Sequence, residues 1–371
     1  MTNNYRVFNR FIQINCDSSR AISEGIQYVL GLYGVVSEFV SPEVIINIGD
    51  EIEFNTICNN PSIHGELRNG FVINNSLSGK ISFQKNNEDV LVINMRPNQK
   101  YFNDNLVFRF FDNGEFSSVE DRLSSVLFES IFVPMTFFFD DLALIHSASF
   151  IGNNDAISIG GTGGIGKTSL EIEMCFNNNY KFINDDIAVI DKEGNIYPNY
   201  ARPKIYGYNL ENNNNLEAEI FKNRSLCDKL SWKYKAAKNG IHKVRRKVLP
   251  QLFNAVSIDN VKLGHYFMLS RYDKLDIEIN DLDLGDVVVQ THNIIKTEYQ
   301  HFFKHILWHN YNCKMLNKKP IVEIDTVDYK STKVLASGCK DVVLKSILVP
   351  QNIKHSDYLS SMGAIVRSLE N

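Results

Sequence analysis

Apolar and polar residues alternate in short runs over the first third of the chain. Tyr5–Asn15 alternates in part, and so do Glu43–Ile48, Lys80–Gln84, Val90–Asn94 and Leu106–Phe111. A period of two is the mark of a half-buried strand. Polar clusters such as Asn59-Asn60-Pro61 and Asn74-Asn75 separate the runs and read as turns. No catalytic constellation falls here, so residues 1–118 are expected to form an accessory β-rich lobe.

The period changes near Ser117 and Ser118. Ser118, Glu120 and Asp121 offer an N-cap and early acids, and Leu123, Val126, Leu127 and Ile131 follow at helical spacing. Leu142–Phe150, the turn Gly152-Asn153-Asn154-Asp155 and the apolar run Ala156–Ile159 then give strand, turn and strand, leading into a glycine loop and a helix. There is no internal repeat of fixed period. At 371 residues the chain is long for one core, which agrees with a second, α/β unit over residues 119–371.

Composition is that of a soluble globular protein, 44% hydrophobic and 22% charged. The net charge of -4 argues against a general nucleic-acid binder. Asparagine runs at Asn177–Asn179 and Asn212–Asn215 read as solvated loops. The six cysteines are scattered without a C-x-x-C pair, so neither a zinc ribbon nor a disulfide framework is expected. Met1–Arg10 lacks the apolar stretch of a signal peptide, and the greasiest segment, Val126–Phe139, holds Glu129 and Pro134 and is too short for a membrane span. The expected compartment is the cytoplasm.

The chemistry concentrates after Ile159. Gly161–Thr168 fits G-x-x-x-x-G-K-[ST] at every fixed position, with the required strand before it and helix (Ser169–Cys175) after it. Glycines let a backbone wrap a polyphosphate with its N–H groups inward, and a helix N-terminus adds positive potential. The expected nucleotide contacts are Gly161, Thr162, Gly163, Gly164, Ile165, Gly166, Lys167, Thr168 and Ser169, with Lys167 on the β- and γ-phosphates and Thr168 on Mg²⁺. A short strand, Tyr180–Ile183, then ends at Asp185-Asp186, only 17 residues past Thr168. Carboxylates there can hold Mg²⁺ or take a proton from an attacking hydroxyl. The early acids, with no LSGGQ-like or N-K-x-D segment, point away from motors and switches and towards a kinase.

These motifs together resemble the HPr kinase/phosphorylase superfamily, whose nucleotide site is like that of PEP carboxykinase. His146, in Leu144-Ile-His-Ser-Ala-Ser149, stands 15 residues before Gly161, where the family has a histidine at a strand end. The loop resembles G-x-S-G-x-G-K-S with Gly163 for the serine, and Asp185-Asp186 follows at nearly the family spacing. Arg202-Pro-Lys-Ile205 and Leu210-Glu211 fall near the family's signature segment, and Val261–Arg271 resembles a later strand of its relatives. The resemblance implies Asp185 as general base, Asp186 beside the metal, Glu211 as a metal ligand and His146 as a residue that tunes the carboxylate's protonation. It implies ATP and Mg²⁺ as cofactors. Asn212–Asn215 replaces the family's Ile-Arg-Gly-like stretch and Ser147 replaces a glycine, which leaves HPr itself and the reverse reaction in question.

Remaining features weigh less. A basic stretch from Lys222 to Lys247 is either a groove for an anionic acceptor or a solvated helix face. Arg202 and Lys204 are candidates for charge stabilisation, Arg202 at the nucleotide. His301, His305 and His309 share a helix face, but surrounding aromatics make core packing the expectation rather than zinc. Phe137–Phe139 reads as core or a contact to the β-lobe. The sequence therefore predicts an ATP-dependent kinase acting on a peptide or protein serine or a small hydroxyl metabolite. A nucleotide-binding regulator without transfer and an NTP hydrolase stay open as alternatives, as does a homo-oligomer.

Overall fold

A computed structural model describes residues 1–36, 40–60, 63–75, 77–112, 114–211 and 213–370. Pro61 of the first turn cluster and Asn212 of the second asparagine run lie outside the described residues. The chain is mixed α/β with a β-rich N-terminal sheet. That sheet holds β1 (Thr2–Val7), β2 (Arg10–Asp17), β3 (Val44–Gly49), β4 (Cys58–Asn60), β5 (His64–Leu67), β6 (Gly70–Asn75), β7 (Gly79–Lys85) and β8 (Leu91–Pro97). Its order is β1-β2-β3-β8-β7-β6-β5-β4, with β2, β3 and β8 parallel and the other pairs antiparallel.

Two local readings change. Tyr5–Asn15 is a hairpin rather than one run, because Phe8 and Asn9 both take positive φ (51° and 61°) and reverse the chain. Leu106–Phe111 is a helix and not a strand. Five of its six residues are apolar, so the partial alternation rests on Arg109 alone, and the Asn105 side chain accepts from the Val107 and Phe108 amides to start a helical turn.

The helix that begins at Ser118 forms as its sequence dictates. The Ser118 hydroxyl accepts from the Asp121 amide at 3.2 Å, and the Asp121 carboxylate accepts from the Ser118 amide at 2.9 Å. The helix Arg20–Val29 packs on it, and a Cβ on Gly25 would meet Leu123 Cδ1 at 2.5 Å, so the two axes approach closely only through that glycine. One hydrophobic cluster runs from Ile14 and Phe71 of the first sheet through Leu127 and Phe132 to Phe150 and Leu170. Phe138 stacks on Phe83 of that sheet at 5.5 Å and Phe137 on Phe302 at 5.6 Å, as expected of a core aromatic run.

The second sheet is built from β9 (Leu142–Ile151), β10 (Ala156–Gly160), β11 (Lys181–Asn184), β12 (Ile187–Asp191) and β13 (Asn195–Tyr197). After a ribbon of β14 (Lys204–Tyr206) and β15 (Arg245–Lys247), it gains β16 (Val261–Tyr272), β17 (Glu278–Asp281) and β18 (Val343–Pro350). The order is β10-β9-β12-β13-β16-β18-β17, and β10 also pairs in parallel with β16, which closes a circuit of strands. Successive residues of β12 feed opposite clusters: Ile187 and Val189 one side, Ala188 and Ile190 the other. With both faces covered, these strands read as continuous apolar runs rather than alternating ones. The helices Leu284–Glu298 and Ile324–Gly338 cover one face, while Lys167–Ile172 and His355–Glu370 lie on the other. All six cysteines are free. No helix of the described residues is long and apolar enough to cross a membrane.

Candidate functional site

The loop between β10 and the helix Lys167–Ile172 is held from behind by its own carbonyls. The Lys167 ammonium donates to Gly161 O and Thr162 O, each at 2.9 Å. Arg271 donates to Ile165 O at 3.0 Å, and the Tyr358 hydroxyl to Gly166 O at 3.0 Å. Arg271 also lies 4.9 Å from the Tyr358 ring centre, which locks the two together. Four of the loop's carbonyls are thus engaged. Gly163 and Gly164 border open space, the room a ligand would need.

Gly166 is tightly constrained. It sits at φ +110°, and a Cβ there would lie 2.8 Å from the Tyr358 ring. We expect Gly166→Ala to cost roughly 1–3 kcal/mol and to break the Tyr358 bond. Thermal melts beside nucleotide titration check this; an unchanged melting temperature with intact binding would contradict it.

The acidic pair meets the loop across the sheet. β11 and β12 do not form a hairpin: both run antiparallel to the same strand β9, one after the other, and Asp185-Asp186 is the kink between them. Asp186 takes a φ of 74°, and the Ile187 amide donates back to Asp185 O at 3.1 Å. This kink turns Asp185 towards the loop helix, where the Thr168 hydroxyl donates to its Oδ1 at 2.8 Å. Burial, with the neighbouring Asp186 charge, pushes the Asp185 carboxyl up to about 7, against the pull of Thr168, Lys204 and Lys167. Burial likewise lowers the Lys167 pKa, while Asp186, Asp185 and Glu298 oppose the shift.

These groups share one cavity of about 690 Å³, lined by Gly163, Gly164 and Gly166–Ser169, by Asp185 and Asp186, and by His146, Arg202 and Lys204. Gly161, Thr162 and Ile165 do not line it; the first two serve Lys167 through their carbonyls, and the Ile165 side chain is buried. Arg202 reaches the wall already paired with Asp121 at 2.6 Å, so the acid that caps the helix also neutralises it. Lys204 is paired with Glu129 at 3.0 Å. Ser169 is fixed by a bond from Asn209 at 2.8 Å.

Two expected roles change. Glu211 does not line this cavity: the short turn Gly207–Leu210 carries it to an adjoining one beside His355 and Ser356. His146 does line the cavity, but burial and the Lys167 charge drive its pKa down to about 3, so the ring is neutral and lends Asp185 no charge. Its Nδ1 has no hydrogen-bond partner and faces Glu298 Oε1 at 3.5 Å. Glu129, Glu298, Tyr299 and His301, which the sequence left unmarked as cavity residues, join the wall: Glu129 from the helical segment Val126–Phe132, the others from where the helix Leu284–Glu298 ends. No local motif announces them.

The three spaced histidines part company. His301 lines the cavity, His305 lies 3.1 Å from His64 through their Nδ1 atoms, and His309 contacts Glu66 at 3.0 Å. Glu66, His309 and Cys313 cluster closely enough to suggest a metal. The hydrogen bonds favour a closed polar network instead. The Ile321 amide donates to His309 Nε2, which leaves the proton on Nδ1, directed at Glu66. Lys318 completes the balance at 3.2 Å. Burial works to raise the Glu66 pKa, but these partners outweigh it and hold it at about 2.

Glu171, on the loop helix, has no such balance. It is fully buried, neither carboxylate oxygen has a partner, and burial plus the charges of Asp185 and Asp186 raise its pKa well above normal. A raised acid pKa in the fold means stability that is complete below the unfolded value and lost as pH climbs through the folded one. Glu171→Met is therefore expected to stabilise the protein by on the order of 1–3 kcal/mol at alkaline pH, with a smaller gain at pH 5. Melting curves at both pH values test it, and a loss at alkaline pH would refute it.

No protein-family model and no curated protein sequence matches the chain. Among solved structures it is similar to one described as the Hpr(Ser) kinase/phosphatase from Coxiella burnetii, at 10% identity, covering 61% of this chain and 95% of that one, with a TM-score of 0.25. At that score the likeness decides nothing about the site, which stands on its own residues.

Proposed function

We propose that the chain is a Mg²⁺-dependent kinase that moves the γ-phosphoryl group of ATP to a hydroxyl acceptor. The observation that carries this reading is the contact between Thr168 and Asp185, which joins the glycine loop and the acidic pair in one cavity with Lys167. The donor triphosphate lies along the loop amides, with Lys167 turned from the Gly161 and Thr162 carbonyls to the β- and γ-phosphates. The acceptor enters from the side of Glu129, Arg202 and His301. Asp185 takes its proton as the new O–P bond forms and the bond to the leaving ADP oxygen breaks. A carboxyl raised by burial is a stronger base once ionised than an exposed aspartate.

The Thr168 hydroxyl and the Asp185-Asp186 oxygens are the hard oxygen donors that Mg²⁺ selects. The repulsion between the two acids is what a divalent cation would relieve. Bound there, the ion would supply charge neutralisation at the phosphates. In this reading residues 119–371 carry the chemistry and residues 1–118 support them.

The test is mass spectrometry of cell extract incubated with the protein, Mg²⁺ and isotope-labelled ATP, beside a Lys167→Ala control. A labelled peptide or metabolite that appears with wild type alone supports the kinase and reveals its acceptor. Label released only as phosphate favours a hydrolase, and intact ATP binding without turnover favours a regulator.

A further inference from the structure

The basic stretch 222–247 divides into two populations. Arg224 and Arg246 both clamp Asp228, at 2.8 and 2.7 Å, and Lys247 donates to Ser125 at 2.5 Å. Lys235 donates to Asp112 O. These cations hold the fold and are spent. Lys233 and Lys238 instead lie exposed on the helix Leu226–Asn239, and Lys229 is partly exposed. Lys229 and Lys233 make no ion pair among the described residues, and Lys238 touches only the Tyr234 ring, at 5.7 Å.

Large apolar side chains are exposed between those lysines. Leu226 (78%), Leu230 (60%) and Tyr234 fall on one helix face at i, i+4 and i+8. Beside them runs the helix Leu106–Phe111, which buries none of its residues and exposes Val107 and Phe111. The two helices are joined: the Phe110 ring contacts both Phe111 (5.3 Å) and Tyr234 (6.1 Å), and Ser231 donates to Phe110 O. Leucines and phenylalanines this exposed on two adjoining helices mark an interaction surface.

We infer that this face binds an acidic, amphipathic segment of a partner protein, its apolar residues on Leu226, Leu230 and Phe111 and its carboxylates on Lys229 and Lys233. Charge decides among occupants. A second copy on a two-fold axis would set these lysines against themselves. An anionic bilayer is a plane and would feel a wide area of a chain of net charge -4. A narrow peptide touches the lysine strip alone. The C-terminal end of this helix lies near the main cavity, which His242, three residues past it, lines. The inference does not require phosphoryl transfer.

The experiment is selection of a displayed random-peptide library on the full chain, with counter-selection on Leu230→Asp/Lys233→Glu. Enriched peptides are expected to carry net negative charge with apolar anchors at helical spacing. Fluorescence anisotropy of the best one should weaken at least ~10-fold in Leu230→Asp and in Phe111→Ser, and in higher salt, while melting temperatures hold. Enrichment of basic peptides, or none that depends on the patch, overturns the inference. So does vesicle binding, or dimerisation, that these variants abolish.

Discussion

Asp185→Asn is expected to abolish transfer while raising the melting temperature of the ligand-free protein above pH 7. Asparagine keeps the shape and can still accept the Thr168 hydroxyl, found at 2.8 Å. It cannot take a proton from an acceptor, and loss of a general base costs about 10²–10⁴-fold in rate. The stability effect has the opposite sign. Burial and Asp186 hold the Asp185 pKa at about 7 in the fold, against about 3.9 unfolded. Its favourable, protonated state is thus complete below about pH 4 and lost as pH rises through 7. At pH 8 the ionised acid costs on the order of a few kcal/mol, which the neutral amide removes. The wild-type rate, measured with Mg²⁺, should climb with pH below that range, because catalysis needs the ionised form and a cation beside the pair would lower the Asp185 pKa. Melting curves and transfer rates from pH 5 to 9 measure both; a variant that melts lower at pH 8, or keeps full activity, would sink the assignment.

Lys167→Ala carries the other large effect. The ammonium is already delivered to the loop, bonded to two of its carbonyls and flanked by Asp185 and Asp186 charges. Binding a triphosphate exchanges neutral acceptors for anionic ones, and charge-assisted bonds contribute about 1.5–3 kcal/mol each. Removing the lysine should weaken ATP roughly 10–100-fold and slow transfer by about 10²–10³-fold. Its charge also pulls the Asp185 pKa down, so the residual activity of the variant should need a higher pH. Calorimetric titration and single-turnover rates separate the two effects. Unaltered ATP affinity would show that the phosphates lie elsewhere.

How much of this was legible beforehand depended on range. The glycine loop was, because Gly161–Thr168 meets local demands: positive φ at Gly161, Gly164 and Gly166, and a lysine and a threonine at fixed offsets. The capping box at Ser118 was legible for the same reason. Leu106–Phe111 was misread because the partial alternation of an almost unbroken apolar run rests on Arg109 alone. The basic stretch looked like one feature, yet Lys247 answers to Ser125 and Arg246 to Asp228, while Lys233 makes no ion pair among the described residues. Glu211 was placed by its position along the chain, and the turn before it led elsewhere.

By itself, then, the sequence determined what neighbouring residues can settle: the loop, its strand and helix, and the presence of two acids close behind. Only the tertiary structure decided that β11 and β12 share β9, that the kink between them sets Asp185 against Thr168, and that Glu298 and His301 close the same cavity. Those outcomes turn on which strand pairs with which and which charges burial forces together. Both are set by residues far apart in the chain, as Asp121 and Arg202 are, and no local pattern encodes them.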